Sequence, residues 1–83
     1  MSLKIRFARK VFAQRTKMGY TQEQLAEAVC ASTRWIQNIE KGESLPGGEI
    51  MINLLLFLDI DVNDFREDAK INEPIRKIHR KAR

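Results

Sequence analysis

The segment Thr21–Gly42, TQEQLAEAVCASTRWIQNIEKG, leaves the rest of the chain few ways to fold. Thr21-Gln22-Glu23-Gln24 has the form of a capping box. In that device the threonine oxygen takes a backbone N–H at the third helical position, and the glutamine there reaches back to the cap. Leu25, Ala28 and Val29 form the apolar side of the helix that follows, and Ala26 is small enough to let another helix approach closely. After a break of three residues, Cys30-Ala31-Ser32, Ser32 can cap a further helix from Thr33 to about Lys41, which Gly42 ends. Ile36, Ile39 and the neighbouring Trp35 mark its inner side. Thr33, Arg34, Gln37, Asn38 and Lys41 face out. The pattern is two short helices joined by a tight turn.

The flanks supply the remainder of a core. Over residues 5–18, Phe7, Ala8, Val11, Arg15 and Met18 recur at three- and four-residue spacing, one stripe of a helix, and Gly19 stands in the position of a C-cap. Arg15 is the odd member of that stripe, and Phe12 lies to one side of it. Gly42 to Gly48 is a loop by composition, with Pro46-Gly47-Gly48 as the breaker. A fourth helix, about Glu49 to Leu58, is apolar nearly all round and is expected to be buried on more than one side. Asp61 can cap a short fifth helix with Asp64 at its third position and Phe65 inward. Residues 69–83 read equally as a last helical segment begun by Pro74, with Ile75 and Ile78 on one side, or as a solvated basic tail. No strand alternation, repeat or low-complexity tract is present, so the expected fold is all-α, with a domain over residues 1–68.

Composition narrows the function. Eighty-three residues make one domain with a modest core. The longest apolar runs are too short to span a bilayer, and no secretory signal follows the basic start. One cysteine, Cys30, and one histidine, His79, offer neither a disulfide nor a metal cluster. No catalytic triad, carboxylate pair in a cleft or phosphate-binding glycine loop is evident, so neither an enzyme nor a cofactor is expected, and a reducing cytoplasmic setting is. The net charge of +4 suits a nucleic-acid partner, but it is concentrated at the ends. Residues 1–19 carry six bases and no acid, whereas residues 20–65 carry two bases against eight acids.

The quoted motif resembles that of the Cro/C1-type helix-turn-helix family, also called the XRE family. The residues carrying the resemblance are Thr21, Gln22, Leu25, Ala26, Ser32, Ile36, Ile39, Glu40 and Gly42. Pro46, Leu54, Leu58, Ile60 and Phe65 follow where the family keeps its loop proline and closing core. The likeness implies a five-helix domain like that of lambda repressor, here with a basic C-terminal tail. It further implies a transcriptional regulator, expected to be a repressor, that binds double-stranded DNA as a homodimer. The chain departs from the pattern in three places. Cys30 occupies a turn position where glycine is usual, Gly47-Gly48 replaces a polar-then-apolar pair, and Trp35 stands where many members have a small or polar residue.

A helix that reads the major groove must offer polar side chains on one face near its N-terminus. Thr33, Arg34, Gln37 and Asn38 do so and are the candidate base contacts, although a merely solvated helix face has the same composition. Arg34 suits guanine, Gln37 or Asn38 adenine, and Thr33 a base edge or a thymine methyl. Gln22, Ser32 and Lys41 are candidate phosphate contacts, the first two lying at helix starts where capping is the plainer role. A buried arginine needs a carboxylate, and the family pattern implies that Arg15 meets Glu40 as a structural ion pair. Ile52, Leu56 and Phe57 look surplus to one chain's core and are the candidate dimer interface. Two other roles compete: an antitoxin-like module that binds a toxin or other protein partner as well as its own operator, and a domain that only oligomerises.

Overall fold

In the computed structural model, which describes residues 2–69, four α-helices and one 3-10 turn follow one another as α1 (Leu3–Lys17), α2 (Gln22–Ala28), α3 (Thr33–Glu40), α4 (Gly48–Phe57) and η1 (Val62–Phe65). The basic segment from residue 70 on, including the helix or tail expected after Pro74, lies outside the described residues.

The helix starts follow the hydroxyl residues. Thr21 Oγ1 accepts from the Gln24 N–H and Gln24 Oε1 accepts from the Thr21 N–H, at 3.0 and 2.9 Å, a complete capping box. Ser32 Oγ accepts from the Trp35 N–H at 3.1 Å. Ser2 does the same for Ile5, so α1 begins two residues before the expected Ile5. Helix α4 has only Gly47 at its cap and no side-chain bond there, yet it begins at Gly48, one residue earlier than expected.

The helix ends share one device. In each of the four, the second residue past the helix has a left-handed backbone: Gly19 at φ +81°, Cys30 at +60°, Gly42 at +79° and Asp59 at +53°. The N–H after each reaches back to close the last turn, as Tyr20 to Arg15, Ala31 to Ala26, Glu43 to Asn38 and Ile60 to Leu55, all at 2.8–3.1 Å. This is the Schellman ending, which satisfies carbonyls that would otherwise lack partners. Glycine adopts that conformation without strain. Aspartate tolerates it, and Cys30 holds it at a steric cost.

Packing follows from these ends. Phe7, Val11, Leu25, Ala26, Val29, Ile36, Ile39, Leu54, Leu58, Ile60 and Phe65 form one buried cluster. The inner side of α2 is Leu25, Ala26 and Val29; Ala28, expected there, is exposed because the close approach falls at Ala26. Met18, expected in the stripe of α1, is the C-cap residue and lies exposed. Gln14 Nε2 donates to the Leu58 carbonyl at 2.8 Å, which ties α1 to the end of α4. The expected fifth helix is a single 3-10 turn. Asp61 Oδ1 accepts from the Asn63 backbone and side chain, a local turn that competes with helix, and Asn63 and Asp64 are weak helix formers. Asp64 pairs with Lys10 of α1 at 2.9 Å.

Cys30→Gly should therefore stabilise the domain by about 0.5–1 kcal/mol, since it removes a side chain at positive φ and gives back part of the gain as chain entropy. Urea denaturation measures this. A lower midpoint for the glycine variant would show that the cysteine side chain contributes packing that outweighs the strain.

Candidate nucleic-acid interface

Arg15 leaves α1 on its last turn and points into the angle between α2 and α3. Its Nε donates to Glu40 Oε2 at 2.7 Å and its Nη2 to Glu40 Oε1 at 3.1 Å, while Nη1 donates to the Tyr20 carbonyl at 2.8 Å. The side chains are 11% and 5% exposed. Phe12 lies 5.4 Å beneath the guanidinium, which gives that half-exposed ring a cation to face. The pair fastens the end of α1 to the end of α3 and, through the Tyr20 carbonyl, to the segment that opens α2.

Gln22 extends the network outward. Its Nε2 donates to Glu40 Oε1 at 3.1 Å, and its Oε1 accepts from Gln37 Nε2 at 3.4 Å. Sequence reasoning placed Gln22 at the helix start but did not anticipate that it bridges Glu40 and Gln37. The outward alternation of polar residues on α3 gives no sign of it, because the contact depends on how α2 crosses α3.

Helix α3 buries Ile36 and Ile39 completely and packs Trp35 partly against the core. Its other face carries Thr33, Arg34, Gln37 and Asn38. Arg34 and the C-cap Lys41 are exposed, whereas Thr33, Gln37 and Asn38 are half-buried. Ser32 is exposed at the start of the same helix. Its oxygen accepts from Trp35, and its hydroxyl proton remains available to another acceptor.

The cations of α1 are divided. Arg15 is held by Glu40, Lys10 by Asp64, and Arg6 by Asp68 at 3.1 Å. Asp68 Oδ2 is buried without an aligned hydrogen bond, so that last contact is electrostatic. Half of the basic residues at the N-terminal end thus fasten α1 to α3 and to the η1 region; Lys4, Arg9 and Lys17 are exposed.

On α4 the expected surplus face is split. Ile52 is 57% and Leu56 76% exposed. Phe57 is instead half-buried, its ring 5.0 Å from that of Tyr20. Tyr20 is fixed as the residue that closes α1, and it covers the aromatic ring that the apolar pattern alone left without a partner. Among the described residues no helix is long and apolar enough to cross a membrane.

This arrangement, a braced α2 and an outward polar α3 joined by a turn, is that of a helix-turn-helix protein. Residues 11–65 match the family described as Helix-turn-helix, and the chain belongs to that family, of the Cro/C1 or XRE type. Two curated relatives, from Sinorhizobium medicae and Rhizobium meliloti, are each named an uncharacterized HTH-type transcriptional regulator. Each is 33% identical over 60 residues, covering 72% of this chain. The chain spans 43% of the length of either relative.

Glu40→Ala should cost up to roughly 3–5 kcal/mol, because it leaves a largely buried guanidinium without its carboxylate. Thermal unfolding measures it. A melting point within about two degrees of the parent would mean that Arg15 finds water or another partner at little cost.

Proposed function

We propose that this chain is a sequence-specific DNA-binding transcriptional regulator, acting as a repressor and as a homodimer. The observation that carries the reading is α3 itself. Its Ile36 and Ile39 are committed to the core, its ends are fixed by Ser32 and Gly42, and its polar side is turned outward near a helix start. A helix of ordinary width fits the major groove, where each base pair shows its own pattern of donors and acceptors. In this reading Arg34 takes the two acceptors of a guanine, Gln37 or Asn38 an adenine, and Thr33 a thymine methyl or base edge. Ser32 and Lys41 hold phosphates at either end of α3. Gln22 keeps one Nε2 proton for a phosphate beside its two internal bonds. The exposed cations Lys4, Arg9 and Lys17 add a general attraction that weakens with salt. Such work belongs in the cytoplasm.

Dimerisation is supported by Ile52 and Leu56, two large apolar side chains left uncovered on one face of α4, with Val62 close by along the chain at 63% exposure. A twofold axis there would bury each against its mate. The antitoxin-like alternative is favoured by a separate observation. An apolar groove of about 310 Å³, lined by Leu3, Phe7, Leu45, Met51, Leu55 and Phe65, could take apolar side chains of a protein partner.

The double variant Arg34→Ala, Asn38→Ala should lose sequence preference in a DNA-shift assay while it unfolds at nearly the parent temperature. An unchanged preference would remove α3 as the reading element. Sedimentation at tens of micromolar without DNA should give a dimer, and Leu56→Asp a monomer. A parent chain that sediments as a monomer would overturn the dimer.

A further inference from the structure

Gln22 is the residue that joins the buried ion pair to the outer face of α3. An ionised Glu40 can only accept hydrogen bonds. Gln22 must therefore turn its Nε2 toward the carboxylate, as it does at 3.1 Å. Its Oε1 is then left facing α3, where it accepts from Gln37 Nε2 at 3.4 Å. Each step has one polarity. Reversing the Gln22 amide would set its carbonyl oxygen against a carboxylate oxygen, two acceptors with no proton between them. Reversing the Gln37 amide would set two carbonyl oxygens face to face.

We propose that Gln22 is a specificity-determining positioning residue: the charge of Glu40, relayed through the Gln22 amide, fixes which way the Gln37 amide faces the DNA. The inference rests on the DNA-binding reading above. With one Nε2 proton given to Gln22, Gln37 keeps a second N–H and a carbonyl oxygen, one donor and one acceptor side by side. That pair complements adenine, which offers N7 as acceptor and N6–H₂ as donor. A free glutamine can present donor and acceptor in either order. A glutamine held from behind presents one order, and the reversed one would set its carbonyl oxygen against adenine N7. Base choice at this position is thereby coupled to a salt bridge that does not touch the DNA.

The test compares the parent chain, Gln37→Ala, Gln22→Leu and the double variant by binding selection on randomised duplexes. The base pair read by Gln37 is the one whose preference Gln37→Ala removes. Gln22→Leu leaves Arg15 and Glu40 in place but breaks both relay bonds. It should weaken the preference at that same pair by about fivefold or more, the low end of what one bidentate contact is worth. The preference at the pair read by Arg34 should not change, and Gln22→Leu should add nothing to the preference once Gln37 is alanine. A lost phosphate contact would lower affinity for all sequences alike and leave these ratios untouched. Glu40→Gln, whose amide can donate as well as accept, should relax the same pair. An unchanged ratio in Gln22→Leu overturns the relay while leaving DNA binding intact. A parent chain that selects no sequence overturns the DNA reading and the inference with it. The free protein gives an independent check by NMR. The side-chain NH₂ of Gln37 should exchange with solvent more slowly than that of the exposed Gln24, and should lose that protection in Gln22→Leu. Equal exchange in parent and variant contradicts the relay whatever the DNA result.

Discussion

The largely buried pair between Arg15 and Glu40 is the contact on which the presentation of α3 depends. Taking two charges out of water is costly, and only good geometry with further hydrogen bonds offsets it. Both conditions are met here. The carboxylate receives two guanidinium N–H groups and the Gln22 amide, and the guanidinium has a third acceptor in the Tyr20 carbonyl. The pair joins residues 25 positions apart in sequence and closes the triangle of α1, α2 and α3. An apolar pair of equal size could fill the same space, but it would have no direction to impose on Gln22.

A second constraint is local and repeated. Four helices of 7 to 15 residues must each turn sharply to stay within one small core. Each does so through the same left-handed ending, and in three of the four the residue giving the closing N–H also packs: Tyr20 on Phe57, Ala31 and Ile60 against the core. The turn between α2 and α3 is one of these endings with a cysteine in the glycine place. The departure from the family pattern at Cys30 therefore changes the strain of the turn and not its geometry.

Much of this was legible in the sequence because the signals were local. Thr21 with Gln24, Ser32, Gly19 and Gly42 mark helix ends by chemistry that acts within four residues. The apolar spacing located Leu25, Val29, Ile36 and Ile39, and the family resemblance implied Leu54 and Leu58. What was not legible depended on how helices cross. Asp59 does the work of a C-terminal glycine, and aspartate at that place is a weak signal. Phe57 belonged by pattern to the uncovered side of α4 until Tyr20 was placed beside it. The fifth helix shrank to one turn because Asp61 bonds two residues on. Arg6 and Lys10 of the basic N-terminal run face acids from distant parts of the chain, which their spacing along α1 does not reveal. Gln22 looked like a helix-start residue and candidate phosphate contact, and its bonds to Glu40 and Gln37 needed the crossing of α2 over α3.

On the function proposed above, α3, held by the ion pair, reads a base sequence in the major groove. In-vitro selection of bound duplexes from a random pool, sequenced after successive rounds, tests it most directly. The enriched site should hold two related half-sites whose centres lie about one helical turn, roughly 10–10.5 base pairs, apart. A pool that stays random after selection, or an enriched site that is the same for the parent and for Arg34→Ala with Asn38→Ala, would contradict it.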